Sequence, residues 1–207
     1  TIYQPTSAAN GFTGVVLGGS VNDKSASVGL VLGRACKYGA HIKIGKVANG
    51  ALSLVNAYIG TKTIKEVTNL ETLHDKGYIT FITHPQKAGF YFGKDFMSST
   101  DDYRRLTNGR VVDKAAIIAA AVYIEELQGE VEVTAAGKIS ELDLNHLKGR
   151  IEQQIQVGMA GQISQLDVYI NPDQNIVSTE TLTVKLAITP LGYTTTINVE
   201  IGFNAGS

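Results

Sequence analysis

One cysteine, Cys36, is all the chain has. A lone thiol excludes an internal disulfide and a zinc site built on cysteine pairs. In its small-residue apolar neighbourhood Cys36 reads as a buried packing thiol rather than a nucleophile. The four histidines, His41, His74, His84 and His146, stand at no metal-ligand spacing to one another or to Cys36, which leaves no metal site to name. The most apolar run, 115–124, is short. As a helix at 1.5 Å per residue it spans ~15 Å, half of what a bilayer core needs. No signal-peptide pattern is present. Basic residues form no patch interleaved with aromatics, so neither a membrane nor a nucleic-acid partner is expected.

The motifs of phosphate chemistry are missing as well. There is no Gly-x-x-x-x-Gly-Lys-Ser/Thr and no Gly-x-Gly-x-x-Gly, so Gly18-Gly19-Ser20 reads as a turn. No serine lies in a Gly-x-Ser-x-Gly context. Asp101-Asp102 reads as a solvated loop or a helix N-cap, and Arg104-Arg105 as a packing or ion-pairing feature. The sequence therefore offers no catalytic, cofactor-binding or metal-binding residue, and the expectation is a protein that is not an enzyme and uses no cofactor.

What is present is enough for a packed core. The 207 residues are 43% hydrophobic and 18% charged, which fits a globular chain of one or two domains. The net charge of −1 hides an asymmetry: residues 1–103 carry +3 and residues 104–207 carry −4. Halves of opposite sign favour contact with each other, or head-to-tail contact between copies. Twenty-two glycines indicate tight turns and close backbone approach.

The stretch 104–126 dominates the chain. Charges sit at its ends and apolar residues fill its middle, which predicts one long helix. A helix apolar all round is buried on most sides, so the expectation is a central strut with Ala115, Ile118, Ala119 and Val122 nearly fully buried. Before it, residues 1–25 read as a loop or arm with one strand near Val15. A helix follows over 25–38, capped by Ser25 or Ser27. Short strands follow at 41–44 and 57–59. Residues 69–76 form a short helix closed by Gly77, and 78–83 with 90–92 form a hairpin.

After the long helix, 130–134 is β-prone. Ser140 and Asp143 make a capping pattern for a helix whose apolar residues Leu144, Leu147, Ile151 and Ile155 share one face. Three alternating segments close the chain, around Leu166–Ile170, Leu182–Ile188 and Ile197–Phe203. Period two with one apolar face predicts an antiparallel sheet covered by helices on one side. A strand so near a chain end can serve as an exchangeable edge. The fold class is α+β, or mixed α/β: an N-terminal α/β part over 1–103, then helices packed on an antiparallel sheet over 104–207.

The order of pieces from residue 69 onward carries a resemblance. The Lys76-Gly77 helix end, the following hairpin, Gly93-Lys94-Asp95-Phe96-Met97-Ser98-Ser99 and Asp102-Tyr103-Arg104-Arg105-Leu106 resemble a passage of contractile tail sheath proteins. That passage reads Gly-…-Arg-x-Leu-Ser-Ser-Asp-…-Tyr-x-x-x-x-Arg. The two later helices, Ile170-Asn171-Pro172-Asp173-Gln174-Asn175 and the closing Thr196-Ile197-Asn198-Val199-Glu200-Ile201-Gly202-Phe203 are similar to that family's C-terminal domain in order and spacing. The resemblance covers 69–207; residues 1–68 match poorly.

The resemblance implies a structural subunit that polymerises helically around an inner tube and contracts to drive it through a cell envelope. The implied partners are other sheath subunits, the inner tail tube, and baseplate and terminator proteins. The implied location is a virion tail or phage-like particle assembled in the bacterial cytoplasm. It also implies that subunits interlock by lending strands to a neighbour's C-terminal sheet. Here the matching residues are Leu182, Val184, Leu186 and Ile188, beside Thr194, Thr196, Ile197, Val199, Ile201 and Phe203. In a single chain, most of 182–203 is expected to close as an ordinary hairpin that leaves one edge open. Two other readings stand beside this one: a ligand- or nucleotide-binding α/β enzyme domain that uses the Gly-rich region, and another tail component such as a tube or baseplate protein.

Overall fold

The structure is a computed structural model that describes residues 3–197. In chain order its strands and α-helices are β1 (Val15–Val16), α1 (Val28–Lys37), β2 (Tyr58–Ile59), β3 (Lys62–Thr63), α2 (Leu70–Asp75), β4 (Tyr78–Ile79), β5 (Phe81–Ile82), β6 (Tyr91–Phe92), α3 (Leu106–Tyr123), α4 (Glu141–Gly158), β7 (Ile163–Ile170), α5 (Ile176–Thr179) and β8 (Val184–Pro190). The fold is mixed α+β, as the sequence pattern implied.

The N-terminal region is built from very short strands. The stretch 78–82 changes partner midway: β4 runs parallel to β1, and β5 pairs antiparallel with β6. The strand expected over 78–83 is thus split at the buried Thr80, whose carbonyl accepts the amide of Gly93. Phe81 and Phe92 stack with centroids 5.4 Å apart and centre a core with Val31, Ile44, Ile64 and Ile79.

Helix α1 presents Val31, Arg34 and Ala35 to that core. Cys36 lies one residue, or about 100°, round the helix from Ala35. It is therefore exposed, not the buried thiol expected. Ser27 is the N-cap residue, but its side chain accepts no capping bond.

The strand expected at 41–44 does not form. Two turns hold the segment instead, Ile42 N–H to Gly39 C=O and Lys46 N–H to Lys43 C=O. Buried Arg34 then reaches under it. Its guanidinium donates to the carbonyls of Ile44 (3.3 Å), Asn49 (3.3 Å) and Gly50 (2.7 Å). The Ile44 carbonyl is thus satisfied by a side chain, with no neighbouring strand needed.

The C-terminal region is α3 and α4 packed on the β7/β8 ribbon. In α4, Leu147, Ile151 and Ile155 are buried at four-residue spacing. Ser140 Oγ caps the helix by accepting Asp143 N–H, as expected, while the Asp143 carboxylate accepts the amide of Glu132. Residues 130–134 form no strand; Val133 makes an isolated bridge to Ile139. Lys114 of α3 donates to the Gly158 carbonyl (2.8 Å) and to Gln162 Oε1 (3.0 Å). That puts a cation at the negative end of α4.

Helix α3 is not a strut buried on most sides. Val111, Ala115 and Val122 are buried, and Ile118 and Ala119 are only half-buried. On its other face Ala116, Ala120 and Ala121 are exposed, together with Ile117 at 70% and Ile124 at 66%. One chain covers one face of this helix, and the rest of its apolar surface is open.

Candidate assembly surface

The β7/β8 ribbon is read most directly from its register. Leu166 faces Ile188, Val168 faces Leu186, and Ile170 faces Val184. These six residues point to one face and pack against α3 and α4. Asp167, Tyr169, Lys185 and Ala187 alternate with them and are exposed. Period-two alternation forces this division, because successive side chains leave opposite faces of a strand.

The ribbon has two strands among the described residues, so each strand has one edge without a neighbouring strand. The two edges differ in what lies beside them. A cleft of about 800 Å³ runs alongside β8. Its lining is mostly apolar, with Val184 and Leu186 of β8, Leu182, Tyr123 at the end of α3, Leu127 beyond it, Ile139 and Leu147, and it also includes Glu126, Gln128, Glu130 and Glu180. No β7 residue lines it. A third strand beside β8 would therefore form backbone hydrogen bonds on one side and send every second side chain into an apolar trough.

The trough also holds a phenol. Tyr123 is half-buried, and desolvation, followed by the nearby Glu152 carboxylate, pushes its pKa up to about 12. Among the described residues its hydroxyl has no hydrogen-bond partner. It stays neutral at all ordinary pH values, and its oxygen is shielded from solvent.

Of the ten residues that the sequence marks for strand exchange, four line up here. Leu182, Val184, Leu186 and Ile188 are half-buried on the inner face. Leu182 precedes β8, however, and the partner of β8 is β7. Thr194, Thr196 and Ile197 do not pair with it. The segment 191–197 has no regular secondary structure, and these three side chains are exposed. The hairpin expected over most of 182–203 is therefore not closed at 194–197. Val199, Ile201 and Phe203 lie outside the described residues.

Other sites weighed from sequence have local explanations. Gly18, at φ +100°, has no room for a side chain, because a Cβ there would sit 2.5 Å from the Tyr58 carbonyl. Gly19 exchanges both backbone hydrogen bonds with Tyr58, which commits its amide to the fold. Asp101 caps the short turn before α3 by accepting the amide of Tyr103 (2.8 Å). Its carboxyl lies below the usual carboxylate range, through its bond to the Ser99 side chain and then that to the Tyr103 amide. Arg104 stacks 4.1 Å over the ring of Phe96. Among the described residues no group of three or more His, Cys, Asp or Glu side chains could hold a metal ion, and no helix is long and apolar enough to cross a membrane.

Some positions that organise the surface carry little signal in the sequence. Arg110, inside α3, donates to the carbonyls of Ala35 (2.6 Å) and Tyr38 (3.0 Å) at the end of α1. Arg150 of α4 pairs with Glu125 (3.0 Å) and Glu126 beyond α3. A charged residue within a helical pattern does not announce its partner, since the contact depends on how two helices cross.

The fold is thus mixed α+β, and among the described residues the β8 edge of the C-terminal ribbon has no neighbouring strand and lies beside the mostly apolar trough. The chain belongs to the DUF2586 family: the model of its N-terminal domain matches residues 4–95 and that of its C-terminal domain matches residues 102–206. No curated protein matches it. Its fold is similar to that of a chain in the cryo-EM structure of the anti-feeding prophage (AFP) baseplate, 6-fold symmetrised, with a TM-score of 0.56 and 12% sequence identity. That likeness covers 85% of this chain and 48% of the other, so the present chain spans about half the length of its structural relative.

Proposed function

We propose that this protein is a structural subunit of a phage-like contractile particle, built into its tail or baseplate. The observation that carries the reading is a fold similar over 85% of the chain to a protein of such a particle's baseplate. The open β8 edge beside an apolar trough and the uncovered apolar face of α3 support it, since contiguous exposed apolar surface usually belongs to an interface. Residue chemistry points the same way. The described residues offer an assembly surface, and in this reading the protein binds its neighbours and catalyses nothing.

Within that class the finer reading is a sheath subunit. Each copy lends its C-terminal segment to a neighbour, where it adds beside β8. Backbone pairing joins copies without a large apolar patch, and alternation fixes the register. The joint persists while the bodies turn, as contraction requires. Its partners would be further copies, an inner tube, and baseplate and terminator proteins, and it would reside in the assembled particle. A baseplate role is the second reading, favoured by the source of the similar chain.

Electron microscopy of the purified protein, whole and truncated after Thr196, tests the proposal. Helical tubes from the whole chain, lost on truncation, are the expected result for a sheath subunit. Assembly only in the presence of other particle components favours the baseplate role. A protein that stays monomeric with all such components present, or tubes that survive truncation, would remove the strand-lending reading.

A further inference from the structure

We infer that Tyr193 is an anchor that fixes where the C-terminal segment leaves the body. The inference rests on the proposed lending of that segment and adds the point from which it is lent. Residues 191–197 have no regular secondary structure, yet one side chain among them is fastened to the N-terminal region. The Tyr193 hydroxyl donates to the carbonyl of His41 at 2.7 Å. The Lys43 ammonium stands 5.3 Å from the centre of the Tyr193 ring, within cation–π range. That ammonium also pairs at 3.1 Å with Asp95, whose side chain is only 2% exposed. The contact is therefore tied to a buried carboxylate, not to a loose surface lysine.

The receiving loop is itself held. Arg110 grips its start through the carbonyls of Ala35 and Tyr38, and Ala40 packs against the α3/α4 core. Arg110 and Tyr193, both from the C-terminal region, thus hold the 35–43 segment of the N-terminal region at its two ends. Beyond Tyr193 the next four residues, Thr194, Thr195, Thr196 and Ile197, are all exposed.

Two consequences follow. A segment held at residue 193 starts its reach to a neighbour from a fixed point, which limits the subunit spacings it can bridge, because each extended residue spans only about 3.3 Å. A pull on the lent segment would also act on the 41–43 loop and Asp95 of its own subunit, not on β8.

The test uses the native thiol. Cys36 is exposed on α1, so a spin label there can be paired with a second label at Thr195→Cys. With Tyr193 present, the inter-label distance distribution should be narrow. Tyr193→Ala should broaden it several-fold. Tyr193→Phe keeps the ring over Lys43 but loses the donor to His41, and should raise the released fraction roughly fivefold, the equivalent of one ordinary hydrogen bond. Because Tyr193→Phe preserves the packing volume, it decides the matter if the alanine variant folds poorly. Equal widths in all three proteins would overturn the anchor. Failure of the lending reading is detected separately, by assembly that survives truncation after Thr196, and leaves the distance measurement intact as a test of the anchor.

Discussion

Adjacent alanines in α3 provide a sharp test of how that helix is packed. Ala115 is 1% exposed, against Val111, Ile151 and Ile155, whereas Ala116 is exposed. Replacing each in turn by Asp changes helix propensity by the same amount, about 0.5 kcal/mol. For Ala116→Asp that is nearly the whole cost, with a few tenths more from Asp113 one turn earlier. For Ala115→Asp two further costs arise. A polar group without a partner in an apolar site costs ~1–3 kcal/mol even when neutral, and forcing extra atoms into a filled core costs ~1–3 kcal/mol.

The expected losses are thus about 3–6 kcal/mol at Ala115 and under about 1 kcal/mol at Ala116. With a urea slope near 2 kcal/mol per molar, the Ala115 variant should lose at least ~1.5 M in its unfolding midpoint. The new carboxyl would have its pKa raised in the folded state. The deficit should therefore shrink as pH falls through that raised value toward about 4, where both states are protonated. Comparable losses at the two positions, or no loss at either, would refute a one-faced packing of α3.

Two further predictions follow from buried groups. Arg34→Met should cost about 2–4 kcal/mol, because it strands the carbonyls of Ile44 and Gly50 and leaves that of Asn49 with the Tyr38 hydroxyl alone. Arg34→Lys should recover little of this, since an ammonium cannot span three acceptors as the planar guanidinium does; a thermal midpoint unchanged by Met would count against that account. His74 is 2% exposed, and desolvation holds its pKa below the ordinary value, outweighing the Tyr78 carbonyl and the carboxylates of Glu71 and Asp75, while Lys94 acts with the burial. The unfolded chain therefore binds a proton first as pH falls. Stability should decline from about pH 6.5 down to the lower folded value, and His74→Gln should flatten that limb in urea titrations. Losses below about pH 4 belong instead to the depressed carboxyls, such as Asp75 beside Lys94 and Asp101 at its turn.

The legibility of the fold followed the strength of local signals. The Ser140 cap, the Leu147–Ile151–Ile155 stripe and the alternation through Leu166, Val168 and Ile170 each state an element and its buried face within a few residues. The segment 41–44 misled because Ile42 and Ile44 alternate as in a strand, while the group that claims the Ile44 carbonyl, Arg34, lies ten residues away. Cys36 misled because small apolar neighbours do not say which side of a helix faces the core.

At the surface the division is similar. Alternation alone was enough to choose Leu182, Val184, Leu186 and Ile188 as one face. It could not say that β8 pairs with β7, nor that the cleft lies against β8 and not β7, because both depend on how α3 and α4 cross the ribbon. The apolar character of 115–124 was likewise written in the residues. Which face this chain covers, and which it leaves exposed, depended on the tertiary structure: a helix has more circumference than α4 and a two-stranded ribbon can enclose.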